Sequence, residues 1–517
     1  MQRYLYISVF ISGMTSLAVE MLASRLLGNV FGTSNLVWAS IIGLILIYLA
    51  AGYFIGGRWA DRSPKFSTFY KILMWAALTT ALVPVIARPV LRFAANAFDQ
   101  LQLGVLFGSF TAVLILLCVP IILLGTASPF AIRLAIQNGS PIGNTSGKIY
   151  GISTLGSFIG TFLPVLVLIP TIGTYQTFLA FSGLLLITAL IGLWRSTGWQ
   201  SSISLVWMPF LIPALAIWGL PGPDKSSQGM IYETESAYNY IQVLKQDDYY
   251  YLRLNEGQGV HSVYNPKVSF YGGPWEEVLP GPFFNAAPYD PSNIKRIAIV
   301  GLAAGTTARQ ATTVFGAVPI DGFEIDPKIV EVGRKYFDMN EPNLNVIVQD
   351  GRWGLDHSPY RYQIISVDAY RPPYIPPEFT TIEFFQIVRQ HLSDDGVLVI
   401  NVGRAPNDRR LINALSSTIA TVFPSIYVID IPNTFNSIIY ATVKPTKANN
   451  LLENYISLTH QGKMPPLLQQ AMAVAAENSQ PTPPPAQVFT DDKAPVEWIT
   501  NNMILNYLFF EPEGIKQ

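Results

Sequence analysis

The fold turns on Ile297–Ala311, "IAIVGLAAGTTARQA", and on the stretch that follows it, Ile320–Ile329, "IDGFEIDPKI". A short apolar run closes on Gly301 and Gly305 and then enters a helical pattern. A second apolar run ends on an acid, Glu324. The alternation continues outward through "LNVIVQD", "YQIISVDAY", "EFFQIVRQHL" and "GVLVINV". Apolar strands that alternate with amphipathic helices predict a doubly wound parallel sheet of Rossmann type. Ligands of such sheets lie at the carboxyl ends of the strands, where strand order reverses.

Each of the first four predicted strands ends on a residue suited to a ligand. Gly301 and Gly305 open a turn without a Cβ, so backbone N–H groups can approach a bound molecule. Glu324 ends the second strand, where a carboxylate can accept from both ribose hydroxyls. Asp350-Gly351 follows the third and offers a side-chain oxygen and a backbone N–H to an adenine edge. Asp368 ends the fourth. Any one of these is explained as a helix cap or turn acid. Together they specify an adenosine-type ligand.

The remainder of the chain is of another kind. Of 517 residues, 50% are hydrophobic and 13% charged, too apolar for one soluble globule. Residues 1–220 carry 11 Lys/Arg against 3 Asp/Glu, and the rest carries 22 against 31. A basic membrane part and an acidic soluble part follow. The acidic half has the wrong sign for a nucleic-acid partner. Apolar runs long enough to span a bilayer recur at Tyr4–Leu27, Leu36–Ile55, Tyr70–Ala87, Val105–Leu124, Ile152–Ile169, Phe178–Trp194 and Ile203–Leu220, which predicts about seven helical spans. The last is short and broken by Pro209 and Pro213.

Arg3, then Arg58, Arg62 and Lys65, then Arg133 and Lys148, then Arg195 fall on alternate connections, which the positive-inside bias assigns to the cytoplasm. Seven spans would then put the soluble half outside. The expectation is instead a multi-pass protein of the plasma (inner) membrane with a cytoplasmic soluble half, one segment being miscounted. Glu20 and Arg25 in the first run read either as a polar pathway or as a local pair with a snorkelling arginine. Cys118 is the lone cysteine, and the four histidines lack metal-ligand spacing, so no metal is expected.

The predicted boundaries are a transmembrane helical domain (1–220), a small antiparallel β-rich part (221–292), the Rossmann-like nucleoside-binding domain (293–445) and a helical, Pro-rich tail (446–517). In the tail, Asp491-Asp492 reads as a cap for the final helix or as acids reaching back to the site.

The stretches "ESAYNYIQV", "LNEGQGVHSVY", "IVGLAAG", "FEIDPKIVEVGRKYF", "QDGR", "VDAYRPPYIPPEFTTIEFF" and "FTDDKAPVEWI" together resemble the spermidine synthase (polyamine aminopropyltransferase) family, in its variety fused to a membrane domain. The resemblance implies a substrate that is S-adenosylmethionine (SAM) or its decarboxylated form, attack on the sulfonium carbon by an amine, and release of methylthioadenosine. It makes Glu324, Ile325, Asp350 and Gly351 nucleoside contacts, and groups with them Gly301, Ala304 and Gly305 of the loop, Asn239 and His261. Asp368 matches the family's first loop aspartate and is the expected proton acceptor, with Tyr370 and Tyr271 to orient it. Many members are dimers, so a homodimer is an open alternative, although no two-fold face is legible.

Three positions depart from the family pattern. Its glycine loop reads Gly-Gly-Gly-Asp-Gly, and Ala304 stands in place of the acid. Its second loop aspartate is Arg371 here, and Asn239 stands where Gln is usual. A site for amines wants negative charge. Losing two acids and gaining a guanidinium suits a donor that keeps its carboxylate, intact SAM. The outcome is then alkyl transfer or internal cleavage of SAM. Two other classes stay open: a SAM-dependent methyltransferase, and a non-catalytic nucleoside-binding module coupled to a transporter-like membrane domain.

Overall fold

The computed structural model describes all residues except 32–34, 102–104, 137–140, 199–204, 220–226, 256–258, 371–373, 463 and 511–517. The chain forms two compact units, Met1–Ser227 with Glu235–Asn239, and Gln228–Thr234 with Tyr240–Gln517.

The first unit is helical: α1 (Gln2–Phe31), α2 (Asn35–Arg62), α3 (Phe66–Leu101), α4 (Val105–Gly125), α5 (Ala127–Ile136), α6 (Ile142–Leu163), α7 (Ile169–Ile172), α8 (Thr174–Thr197) and α9 (Met208–Ala214). Six stretches among the described residues are long and apolar enough to cross a membrane: Gln2–Gly28, Val37–Arg62, Phe66–Leu91, Thr111–Ile136, Ile142–Ile172 and Thr174–Thr197. The expected seventh span is corrected. Its helical part is Met208–Trp218, about 16 Å of rise against a hydrocarbon core of roughly 30 Å; residues 203, 204 and 220 of that expected span lie outside the described residues.

Small residues bring these helices together, the pattern usual between membrane-spanning helices. Gly156 and Gly160 of α6 lie four residues apart against α1. A Cβ at either would collide with the carbonyl of Phe10 or of Met14. Arg25 does not act alone: it pairs with Glu235 at 3.6 Å and donates to the Ser236 carbonyl. Glu235 also accepts from Thr174 N at 3.1 Å and from its hydroxyl at 3.0 Å.

The second unit opens with a sheet of β1 (Met230–Glu235), β2 (Tyr240–Gln246), β3 (Tyr249–Leu254) and β4 (Val260–Tyr264), in that order, with β2–β3 and β3–β4 antiparallel. An eight-stranded sheet follows: β5 (Ile297–Val300), β6 (Ile320–Glu324), β7 (Leu344–Val348), β8 (Tyr362–Val367), β9 (Leu392–Gly403), β10 (Ser425–Asp430), β11 (Asn436–Thr442) and β12 (Ser479–Gln480). Its order is β12-β10-β11-β9-β8-β5-β6-β7. The strands from β7 to β9 are parallel, as expected of a doubly wound fold, whereas β11 and β10 add antiparallel.

Between them run α10 (Thr306–Phe315), α11 (Pro327–Tyr336), α12 (Gly351–Asp356), α13 (Ile382–His391) and α14 (Arg410–Ala420). Then come α15 (Asn449–His460), α16 (Pro466–Glu477) and α17 (Val496–Phe510). Successive strand residues enter different cores. Val300, Ile365 and Ile400 pack with Phe385 and Leu415, whereas Ile299, Ile364 and Val399 pack with Ala308 and Met472. Burial on both faces explains why these strands read as continuous apolar runs. Chain order reverses between β5 and β8, and the ends of β5, β6, β7 and β8 share that edge.

The helix contact in the first unit is testable. Gly160→Val should cost about 1–3 kcal/mol, seen as a lower thermal midpoint in detergent by tryptophan fluorescence. Gly57→Val, where an added Cβ meets nothing within 4 Å, should leave the midpoint unchanged.

Candidate functional site

The turn after β5 is held by its neighbours. Gly301 has φ 88°, and a Cβ there would collide with the Asp368 carbonyl. Gly305, at φ 81°, would drive a Cβ into the Met339 side chain, and Gly351 would drive one into Val300. The missing side chains therefore make room for the protein's own elements, where open access for a ligand was expected. Gly301 seats the loop directly on the end of β8.

Glu324 closes the other side. It is buried; one oxygen accepts from Ala303 N at 2.9 Å and the other from Asp326 N at 3.0 Å. Burial outweighs those bonds and pushes its carboxyl up to about 7. Each oxygen keeps a further lone pair for a hydroxyl donor. The next residue, Ile325, is 42% exposed, an apolar face beside a carboxylate. Asp350 spends one oxygen on Trp353 N at 2.9 Å, capping α12, and Gly351 follows within reach of Phe379.

Asp368 is partly open to solvent but crowded by protein, and lost hydration pushes its carboxyl up to about 6. Asn401 Nδ2, from β9, donates to its Oδ1 at 2.9 Å and offsets part of that rise. Tyr370 donates to the Asn401 carbonyl at 3.2 Å, and burial raises its hydroxyl well above the ordinary range. Asp368, Asn401 and Tyr370 thus form one group.

The other expected site residues are placed differently. Tyr271 accepts from Asn265 N at 3.2 Å and stands edge-on to Tyr249 and Trp275; its described contacts do not include Asp368. His261 is closely surrounded, with its Nε2 unpartnered among the described residues, and burial lowers it to about 4, so the ring is neutral. Its neighbour Ser262 accepts from Ala304 N at 3.0 Å. Ala304 is wholly buried, with its methyl among Ile241, Ile329 and Phe337. Asn239 belongs to the first unit, where its carbonyl accepts from Ser236 N at 2.9 Å. Arg371 lies outside the described residues.

Two features were not anticipated, and a third, Asp491, had two expected roles. Asn401 carried no signal in its own strand, since only tertiary pairing puts it beside Asp368. Glu276 and Glu277 are consecutive and fully buried. Glu276 holds the turn that carries Tyr271 by accepting from the N–H groups of Tyr271, Gly272 and Gly273. Asp491 does not cap the last helix, which begins at Val496; it binds Arg352 through both oxygens, at 2.8 and 2.7 Å.

Residues 285–454 match the spermine/spermidine synthase domain. A probable polyamine aminopropyl transferase of Bifidobacterium longum is 35% identical over 284 residues, covering 52% of this chain and 61% of that protein, less than two thirds of its length. The polyamine aminopropyltransferase of Vibrio vulnificus is 29% identical over 215 residues, 39% of this chain and 68% of that one. The crystal structure of a probable spermidine synthase from Corynebacterium glutamicum aligns with 52% of this chain and 97% of its own, at 20% identity and a TM-score of 0.40. Residues 285–454 of the chain are therefore similar to a spermine/spermidine synthase domain, and they follow a set of long apolar helices.

Proposed function

We propose that the second unit binds an adenosyl sulfonium, SAM or its decarboxylated form, along the ends of β5 to β8, and transfers the sulfonium's alkyl group to an amine. The observation that carries this reading is Asp368: a crowded carboxyl, oriented by Asn401, against which the Gly301 turn is seated. In the step itself an uncharged amine attacks the carbon, and the C–S bond breaks. Methylthioadenosine leaves as a neutral thioether, so no acid is needed at sulfur. The nitrogen's proton passes to Asp368. Glu324, Ile325, Asp350 and Gly351 would hold the nucleoside in line for that attack.

One observation favours a second reading, internal cleavage of intact SAM. The loop offers no acid at Ala304, and its buried methyl fills the position with apolar contacts. A donor carboxylate would meet no repulsion there. Incubating the detergent-solubilised protein with SAM alone, and separately with decarboxylated SAM plus putrescine, distinguishes the two by mass spectrometry of the nucleoside. Methylthioadenosine is the expected product. Its appearance only with the amine supports transfer, its appearance from SAM alone supports cleavage, and S-adenosylhomocysteine would make the protein a methyltransferase.

The six apolar stretches also bear on orientation. With six spans both ends of the first unit return to one side, together with the basic connections at Arg58–Lys65, Arg133–Lys148 and Arg195. Arg133 pairs with Asp61 at 3.1 Å across two of them. The positive-inside bias assigns that side, and with it the synthase domain, to the cytoplasm.

Asp368→Asn should lower kcat about a hundred- to ten-thousand-fold while leaving donor affinity in place. The wild-type rate should rise with pH through about 6, because the raised carboxyl accepts a proton only once ionised. Glu324 works in the same direction at binding. Below about 7 it is protonated and a weaker acceptor for ribose, so nucleoside affinity should strengthen as pH rises through that value. Glu324→Gln should weaken methylthioadenosine binding and abolish that pH dependence, measured by equilibrium dialysis.

A further inference from the structure

The segment Phe489–Lys493, "FTDDK", is anchored far from its sequence neighbours. Phe489 is wholly buried; its N–H donates to the Thr418 hydroxyl at 3.0 Å, and its carbonyl accepts from Ile382 N at 3.0 Å. Thr490 and Lys493 then exchange backbone bonds of 3.2 and 2.9 Å, closing a tight turn with Asp491 on it. The Asp491 carboxylate accepts from Arg352 Nη1 and from the Thr381 hydroxyl on Oδ1, at 2.8 and 2.7 Å, and from Arg352 Nη2 on Oδ2 at 2.7 Å. Its own N–H donates to Glu383 at 3.0 Å.

Arg352 makes one more bond, from Nη1 to the Glu378 carbonyl at 3.1 Å. A single carboxylate thus ties the start of α12 to the turn Pro377–Phe379 and to the cap of α13. Those are the segments that meet at Gly351, whose Cα side faces both Val300 and the Phe379 ring. Neither cap needs this arrangement: Asp350 caps α12 and the Thr381 side chain caps α13 by themselves. What the fork adds is a fixed spacing between Asp350-Gly351 and the 377–379 turn. A planar guanidinium held at two points resists the sliding that a single bond would allow.

We propose that Asp491 is a positioning residue for the nucleoside pocket: through Arg352 and Thr381 it locks the adenine-reading Asp350-Gly351 pair against the Pro377–Phe379 turn, so the C-terminal tail completes a site built from residues more than a hundred positions earlier. This rests on the nucleoside reading above. Arg352 holds the Asp491 carboxyl below the ordinary carboxylate range, so the fork persists while Glu324 and Asp368 titrate.

The test uses the full-length protein in detergent, with methylthioadenosine and SAM as separate probes in equilibrium dialysis. The isosteric variant Asp491→Asn should weaken both probes by the same factor, roughly three- to ten-fold. The donor KM should rise in step, with kcat unchanged. Combining Asp491→Asn with Arg352→Gln should cost less than the sum of the two single changes, because the two residues share one contact. Asp492→Asn should bind as wild type does. Thermal midpoints without nucleoside, compared across variants, separate lost binding from lost folding. Wild-type affinity in Asp491→Asn, or a fall in kcat at constant KM, would overturn the proposal alone. A wild-type protein that binds neither probe would overturn the nucleoside reading and this inference with it.

Discussion

The approach of Gly301 to the backbone of Asp368 is the constraint on which the rest of the site depends. It leaves no room for a Cβ, so the turn after β5 and the end of β8 form one surface. Gly351 repeats the arrangement one layer away, closing on Val300 at the end of β5. Glu324 then ties the turn to β6 through Ala303 N. Four strand ends become a continuous rim because glycine and carboxylate contacts remove the gaps between them.

Electrostatics follow from that closeness. Glu324 and Asp368 are both acids deprived of water, and both are raised toward neutrality, by different balances. Glu324 is held by two backbone N–H groups and remains high because it is more deeply buried. Asp368 has one amide donor, Asn401, and partial access to solvent. A carboxyl raised to about 6 is ionised at neutral pH yet a better proton acceptor than an ordinary carboxylate.

The first unit obeys another rule. Its helices are apolar on nearly every face, and Leu46, Phe54, Phe158 and Leu166 stand exposed. Contact between such helices comes from close backbone approach at small residues such as Gly156 and Gly160. Arg25 and Glu235 are bound to each other, to Thr174 and to a backbone carbonyl.

Strand-ending residues were legible in the chain because a parallel sheet imposes its period locally: an apolar run, then a turn residue, then a helix. That is how Gly301, Glu324, Asp350 and Asp368 could be picked out, and with them the Rossmann-like architecture and the run of apolar helices. The family's motifs were legible for the same reason, as contiguous words. Contacts between distant segments were not. Asn401 sits in an apolar strand, and nothing in "GVLVINV" marks it as a partner of Asp368 until β9 is laid against β8. Asp491 read as a helix cap or as an acid reaching back to the site, and only packing shows its bonds to Arg352 and Thr381. Ala304 read as a lost charge, and only packing shows its methyl to lie in an apolar core. Sequence period reports which face of an element is apolar; side-chain partners depend on register and on long-range closure, which only the packed chain decides.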